Sequence, residues 1–308
     1  MKFGIDPEFF VLNQSNQPIN AYKVCKSTKN KPIKIYDINI YHDNVLLEAN
    51  CDPVLTEGEF LISSANLVAA ILENAKGYKI SLDSFFEFSD DELTGKNAKE
   101  FGCDPDYDAY TLTINDTATK EIAKTNFRTA GGHIHIGGNT TDVVCDPLMK
   151  PMFVYMLDLF VGIPSVLIDN STQTYRRRKY FGAAGCHRDK PYGLEYRVLS
   201  PFWLRSASCR SLFYNLCNFV FHEMNDNLII LTYDWNQNNN VEFLDHEFKI
   251  NDVVYHFNSE KNGELIFEKK RNTQIYHTYD WYGERNWKLI DTIWKILLFV
   301  PLHMVKNM

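Results

Sequence analysis

Apolar and polar residues alternate with a period of two over several short stretches of the chain. Residues 2–12, KFGIDPEFFVL, show the pattern first, and this period is typical of a β-strand with one buried face. The same pattern predicts further strands over residues 33–36, 38–41, 44–50, 78–88, 128–138, 192–199, 253–257 and 265–267.

A period of three to four residues predicts helices elsewhere. Over residues 59–76, Phe60, Leu67 and Ile71 share one helix face, and Gly77 stands where a helix is expected to end. Further helices are predicted over residues 147–167, 205–224 and 287–304, and a loop is predicted over the Asn-rich residues 236–240. Because strands and helices are mixed without a regular strand–helix–strand rhythm, the sequence predicts an α+β fold.

Two apolar segments are long enough to be tested as membrane spans. Asp158 interrupts residues 151–168, and Asp291 and Lys295 interrupt residues 289–304. Since a charge in the middle of a helix is costly in lipid, we expect buried amphipathic helices and no membrane partner. The N-terminal residues MKFGIDPEFF contain no signal-peptide core.

Composition is that of an ordinary globular protein. The 308 residues are 45% hydrophobic and 23% charged, which excludes global disorder and suits one large domain or two smaller ones. Seven cysteines form no CxxC pair, so we expect reduced thiols in a cytoplasmic protein.

Charge is distributed unevenly along the chain. The formal net charge of −7 argues against a general coat on nucleic acid, because neutralising phosphates requires surplus Lys and Arg. Residues 176–210, however, contain nine basic and two acidic residues. Arginine offers paired donors to phosphate oxygens, so this segment suits a polyphosphate; a solvated basic loop and a nucleic-acid contact are the alternatives.

Four predicted strands carry polar residues two positions apart, where side chains point to the same face of a sheet. The pairs are Asp6 and Glu8, Glu48 and Asn50, His133 and His135, and Glu195 and Arg197. A face lined with carboxylates and imidazoles is costly to bury unless cations neutralise it. Carboxylates with one imidazole suit Mg²⁺ or Mn²⁺, and the absence of paired cysteines argues against structural zinc.

Each pair also has a purely structural interpretation. The first fits the solvated face of an edge strand, the second the start of a turn, the third a buried structural pair and the fourth an ordinary ion pair. The histidines give the stronger signal, because glycines at 131, 132, 137 and 138 let other groups approach closely. The coincidence of all four pairs favours a metal site.

These same segments resemble a known family. Residues 4–10, GIDPEFF, resemble the first metal-ligand strand of glutamine synthetases, residues 131–137 their glycine-rich His-x-His strand, and residues 194–197 their Glu-x-Arg strand. With residues 43–53 and 180–204, the set is most similar to the phage-encoded COOH–NH2 ligases of type 2, in the glutamine synthetase and glutamate–cysteine ligase superfamily. The resemblance covers residues 1–225.

The resemblance implies a glutamine synthetase-like catalytic domain, a curved and mostly antiparallel sheet with the active site on one face and helices on the other. It implies an ATP- and Mg²⁺-dependent carboxylate–amine ligase that works through an acyl phosphate, in the host cytoplasm if the chain is phage-encoded. Residues 1–225 would form this core. Residues 226–308 would complete the same domain or form a small accessory region such as a substrate lid.

Motif matching implies roles residue by residue. The implied ligands of Mg²⁺ or Mn²⁺ are Asp6, Glu8, Glu48, His133 and Glu195. Arg188 and Arg197 are the implied catalytic residues, and the implied ATP contacts are Arg178, Arg188, His135 and Arg197. For His135, support of the metal site is the alternative. Asp6 departs from the pattern, since the synthetases have Glu there. We place the acidic residues 102–110 near the amine or nucleotide entrance.

Other activities are compatible with the residues alone. A carboxylate or guanidino kinase on this scaffold would release ADP without an amine, a metallohydrolase would need no ATP, and a non-catalytic nucleotide-binding module would turn over nothing. For the ligase, we expect a small-molecule or peptide carboxylate and an amine, with an aminated base among the candidates. Replacing Glu195 by Gln is expected to abolish ADP formation and leave the fold intact.

Overall fold

The computed structural model describes residues 1–94, 106–115 and 125–235, and four later strands at 241–244, 247–250, 253–258 and 266–269. The chain separates after Met224 into two compact units, and the four later strands belong to the second. The six described cysteines are free thiols. Predictions for residues 102–105, 236–240 and 287–304 lie outside the described residues.

Strands dominate the first unit. In chain order they are β1 (Lys2–Leu12), β2 (Pro18–Ile19), β3 (Ile33–Ile35), β4 (Ile38–Asp43), β5 (Leu46–Asn50), β6 (Lys79–Ser81), β7 (Phe85–Glu87), β8 (Asp106–Asp108), β9 (Thr113–Asn115), β10 (Phe127–Thr129), β11 (Gly132–Gly137), β12 (Cys186–Lys190) and β13 (Gly193–Tyr196). The predictions of β1, β3, β4, β5 and β13 are confirmed. The sequence pattern misses β2, β8, β9 and β12, which are too short or too charged to show apolar alternation.

Eleven strands form one open, curved, antiparallel sheet. Its order is β3-β4-β5-β1-β11-β13-β12-β8-β9, and β2 and β6 pair with the far end of β1. β1 is central because its 11 residues pair with β11 up to Pro7 and with β5 and β6 beyond it. β7 and β10 form a separate two-stranded sheet. The prediction of an α+β fold with a curved, mostly antiparallel sheet is confirmed.

The two faces of the main sheet differ in polarity. Phe3 and Ile5 of β1 are buried on one face, where the Phe3 ring packs against Phe60 and Tyr214 with centroid distances of 4.8 and 5.1 Å. Asp6, the residue next to Ile5, points to the opposite face because successive side chains of a strand alternate. Helices therefore cover the apolar face and leave the polar face to the predicted site.

Helices Glu57–Asn74 and Ala207–Trp235 supply these aromatic partners. The others are Lys150–Leu157, Ile163–Ile168 and Thr172–Arg178, with a π-helical turn at Asp158–Gly162 and 3₁₀ turns at Ala21–Lys23, Asp90–Leu93, Val143–Cys145 and Pro201–Arg205. A capping box starts the first helix, since Thr56 and Glu59 satisfy each other's backbone N–H groups. The helices predicted over residues 59–76, 147–167 and 205–224 are confirmed, and the helix Thr172–Arg178 was not predicted.

Two predicted strands are wrong as single elements. Residues 78–88 form β6 and β7, which lie in different sheets, because Ser81 and Asp83 hydrogen-bond to each other and turn the chain. Residues 128–138 form two strands, β10 and β11. Between them lies Gly131, whose backbone N–H donates to the Glu8 carboxylate at 2.6 Å. The alternation of apolar and polar residues can continue across such a break, because it does not depend on which strand each segment pairs with.

Lys150–Ile168 is long and apolar enough to span a membrane by length and composition. It packs inside the first unit, where Asp158 is only 3% exposed. The Asp158 carboxylate accepts hydrogen bonds from the Tyr196 hydroxyl at 2.7 Å and from the Gly185 N–H at 2.6 Å. These contacts favour the predicted buried helix, and burial raises the pKa of Asp158 to about 6.

We expect ionisation of Asp158 to lower the stability of the protein as the pH rises. Its pKa of about 6 in the folded state lies above the ordinary 3.8, so the folded protein holds this proton more tightly than the unfolded chain. The free energy of unfolding should therefore fall by about 3 kcal/mol between about pH 4 and pH 6. Urea unfolding of the wild type and Asp158→Asn across this range should show the variant gaining relative stability as pH rises. A pH-independent difference would contradict the expectation.

The second unit contains a sheet of its own. Strands β14 (Val241–Leu244), β15 (Glu247–Ile250), β16 (Val253–Asn258) and β17 (Ile266–Lys269) pair antiparallel in chain order. The strands predicted over residues 253–257 and 265–267 are confirmed.

Candidate active site

Strand register brings the predicted polar pairs together on one face. Asp6 lies opposite His133, and Glu8 lies opposite Glu48. His135 lies opposite Glu195. Because directly opposed residues of antiparallel strands point to the same face, one polar row crosses β5, β1, β11 and β13.

Three side chains of this row could hold a metal ion together. The ligand atoms of Asp6, His135 and Glu195 all lie within 4.8 Å of one another. His135 Nε2 is 3.0 Å from Asp6 Oδ1, and its Nδ1 is 2.5 Å from the Tyr192 hydroxyl, which holds the ring in place. Two carboxylates and an imidazole fit Mn²⁺ or Mg²⁺. The geometry therefore places His135, an implied nucleotide contact, among the candidate metal ligands.

His133 lies beside this group. Its Nδ1 is 3.6 Å from Asp6 Oδ1 and 3.5 Å from Glu195 Oε1. Gly131 leaves room for the imidazole, since a Cβ at that position would collide with the His133 ring. The sequence analysis predicted that the glycines beside the histidines let other groups approach closely. This is the case at Gly131.

Glu8 and Glu48 form a second acidic pair. Glu8 accepts from the Gly131 N–H, and Glu48 accepts from the Tyr41 hydroxyl at 2.5 Å. Burial raises the pKa of Glu8, and burial together with the charges of Asp6 and Glu8 raises the pKa of Glu48 well above its usual range. A divalent cation would favour the ionised forms of both carboxylates, so these residues also fit a metal site.

Cations surround Glu195, which is 1% exposed. Its carboxylate forms an ion pair with Arg197 and lies 2.9 Å from Lys190 Nζ and 3.4 Å from Arg188. Burial and Asp6 oppose its ionisation, but Arg197 and the two histidines outweigh them and hold the pKa at about 2. Burial likewise opposes ionisation of Asp6, yet His135 and His133 hold the pKa of that carboxyl below its usual value. Both carboxylates are therefore charged at neutral pH.

Asp106 is a site residue that the sequence did not single out. It is buried on β8, and its Oδ1 lies 2.6 Å from Arg197 Nε and 3.9 Å from Arg188. Arg197 is thus held between Asp106 and Glu195. The only sequence signal was the acidic composition of residues 102–110, which does not distinguish Asp106 from its neighbours.

Arg178 lies outside the polar row. Adjacent helical residues point about 100° apart, and the Arg178 guanidinium donates to Ser165 Oγ at 2.9 Å on the helical side. Arg177 is the buried one, at 1% exposure, and donates to the backbone carbonyls of Val198 and Arg197 at 2.8 and 3.1 Å. The position of Arg178 therefore gives no support to its implied nucleotide contact, and Arg177 supports the strand end that carries Arg197.

Two cavities adjoin the polar row. The larger has a volume of about 440 Å³ and is lined by both signs of charge, including Asp6, Glu195, Lys29, Arg188 and Lys190. The smaller is lined by His133 together with Glu8, Asp106, Arg128, Arg177 and Arg197. The larger cavity has room for a small-molecule substrate beside the candidate metal ligands.

Comparison with known proteins supports a ligase. A family model described as phage phiEco32-like COOH.NH2 ligase, type 2, matches residues 123–234. The match includes β11, β12 and β13 and begins after β1 and β5. No curated protein matches the chain. The similarity supports a carboxylate–amine ligase for the segment that carries His133, His135 and Glu195.

Proposed function

We propose that this protein is an ATP- and Mg²⁺-dependent carboxylate–amine ligase that acts through an acyl phosphate. The observation that carries the proposal is the row on the polar face, where candidate metal ligands stand beside the buried Arg197 and the partly exposed Arg188. A carboxylate oxygen of one substrate attacks the γ-phosphorus of ATP and ADP leaves. The amine of the second substrate then attacks the acyl carbon, inorganic phosphate leaves, and the nitrogen releases a proton to solvent as the amide forms.

Five residues would hold the metal in this proposal. Mg²⁺ or Mn²⁺, when bound, neutralises negative charge on the phosphates. The ligands are Asp6, His135 and Glu195, with Glu8 and Glu48 as a second acidic pair. His133 supports the first group through its contacts with Asp6 and Glu195.

Arg188 and Arg197 would stabilise the charge on the transferred phosphoryl group. Arg197 is held by Glu195 and Asp106, so its guanidinium is positioned before substrate binds. Donors that are already in place stabilise developing charge without a reorganisation cost. Arg188, on the neighbouring strand, lines the larger cavity beside the candidate metal ligands.

The proposal also covers the fold family of the protein and the compartment in which it acts. We place the main sheet in the glutamine synthetase superfamily, because its polar face carries the three motifs on adjacent strands β1, β11 and β13. Residues 1–225 would be the catalytic core and residues 226–308 an accessory region. The free thiols of the described cysteines are consistent with a cytoplasmic site of action.

A coupled assay of ADP release tests the activity. The full chain is screened with ATP, Mg²⁺ and paired libraries of carboxylates and amines, and products are identified by mass spectrometry. We expect ADP release only when a carboxylate and an amine are both present, with the mass of an amide. ADP release from a carboxylate alone would favour the kinase, and turnover without ATP would favour a hydrolase.

A further inference from the structure

A run of lysines lies at the edge of the main sheet nearest to β3. Residues 18–36 contain five lysines and no Asp or Glu, although the whole chain carries a net charge of −7. Lys23 is paired with Glu92 at 2.5 Å, which anchors the start of the segment. The other four, Lys26, Lys29, Lys31 and Lys34, are exposed and are called here the lysine edge.

Strand register turns part of the lysine edge toward the active-site face. Lys34 of β3 lies opposite Asn39 of β4, and Asn39 lies opposite Asn50 of β5. The Asn39 amide donates to the Asn50 side chain at 3.0 Å, so both point to the same face. Since neighbouring strands are about 4.8 Å apart, β3 lies about 14 Å from β1, on which Asp6 stands.

Lys29 connects the lysine edge to the larger cavity. Its ammonium is 3.9 Å from Glu48 Oε1 and 5.8 Å from the centroid of the Tyr41 ring, and it lines the cavity that also contains Asp6. The side chain is nevertheless 72% exposed. Positive charge therefore continues from the cavity mouth to the outermost strand on that side.

We propose that the lysine edge binds the phosphates of a single-stranded nucleic acid that carries one substrate group of the ligase into the larger cavity. The inference rests on the proposed function, and the covalent step is the ATP-driven amide formation given above. A cluster of four exposed lysines suits a backbone with one negative charge per residue. The total charge of the chain still argues against a general coat on nucleic acid, and the proposed contact is local.

Two features favour nucleic acid over an acidic peptide. Thr28 and Asn30 lie exposed between the lysines, and hydroxyl and amide side chains commonly donate to phosphate oxygens. Tyr36, at the turn between β3 and β4, is 65% exposed, and an exposed aromatic ring offers a surface on which a base can stack. A single strand is required because a group inside a duplex could not enter the cavity without leaving the stack.

Fluorescence anisotropy tests the surface directly. A fluorescein-labelled single-stranded DNA of mixed sequence is titrated with the full chain, without ATP, at several salt concentrations. We expect Lys34→Glu to weaken binding about tenfold, and Lys31→Glu with Lys34→Glu to reduce the slope of log Kd against log salt by about 1.4. Lys76→Glu makes the same charge change at an exposed lysine on another part of the first unit and should change Kd less than about twofold.

Each outcome decides the proposal. Equal Kd values for Lys34→Glu and Lys76→Glu would overturn it, and so would a poly-glutamate of matched charge that displaces the DNA as well as unlabelled DNA does. ADP release on small substrates should be unchanged in Lys34→Glu, since this residue lies outside the metal-ligand row. A protein that binds DNA through the lysine edge but releases no ADP with any substrate pair would refute the ligase alone. One that releases ADP but does not bind DNA would refute the surface alone.

Discussion

Glu195→Gln is expected to unfold at a much lower urea concentration than the wild type, in addition to losing metal-supported ADP formation. The carboxylate is buried among Arg197, Lys190 and Arg188. Glutamine keeps the volume but removes the charge, so three cations lose their shared counter-ion. Removing one partner of a buried ion pair costs about 3–5 kcal/mol, and we expect a loss of this size at neutral pH. Equilibrium urea unfolding measures it.

A matched variant distinguishes the cost of losing a buried ion pair from the cost of losing an exposed one. Glu87→Gln makes the same chemical change in a pair with Arg176 at 2.9 Å, but both side chains are more than half exposed. Exposed ion pairs contribute at most about 1 kcal/mol, so this variant should stay close to the wild type. Equal losses in the two variants would show that burial of Glu195 does not set its contribution. The sequence alone led us to expect that Glu195→Gln leaves the fold intact. Because the structure buries Glu195 among three cations, we now expect a loss of stability as well.

Asp6→Asn is expected to weaken binding of Mn²⁺ at least about 100-fold and to abolish ADP release, because it removes a charged ligand from the candidate metal site. Asp6 contacts His133 and His135, and among the described residues no Lys or Arg forms an ion pair with it as they do with Glu195. We therefore expect its stability to change much less than that of Glu195→Gln. Titration followed by the paramagnetic signal of free Mn²⁺ measures the affinity without requiring turnover.

Asp91→Asn is the control for this prediction. Asp91 is exposed on the 3₁₀ turn Asp90–Leu93 and lines neither cavity. The same change there should leave both Mn²⁺ affinity and ADP release at wild-type levels. If Asp6→Asn bound Mn²⁺ as tightly as this control, Asp6 would not be a ligand, and the site would have to be built on Glu8 and Glu48 instead.

Much of the candidate site was predictable because strand geometry is local. A period of two identified β1 and β13, and within each strand it placed both members of a polar pair on one face. The His-x-His pair was found in the same way, although the strand predicted around it proved to be two. These predictions needed only the alternation of side chains along an extended backbone, which every residue of a strand obeys regardless of its neighbours in space.

The features of the site that the sequence did not predict depend on contacts between distant segments and on the phase of a helix. Residues 102–110 showed only acidic composition, and pairing of β8 with β12 places Asp106 against Arg197. Four arginines and lysines in a row, from 176 to 179, look equivalent along the chain, yet the helix they end turns Arg177 inward and Arg178 toward Ser165. Composition shows which charges are available, and helix phase decides which of them meet the site.

By itself, the sequence determined the fold class, the polar face and most of the candidate ligands, because alternation and motif spacing are properties of consecutive residues. Only the tertiary structure decided which of these residues meet. Register sets His135 opposite Glu195, 60 positions later in the chain, and within ligand distance of Asp6. It also sets Lys34 on the same face as Asn50, 16 positions later. The physical reason is that strand pairing is a long-range choice, made by burial of the opposite, apolar face against the helices.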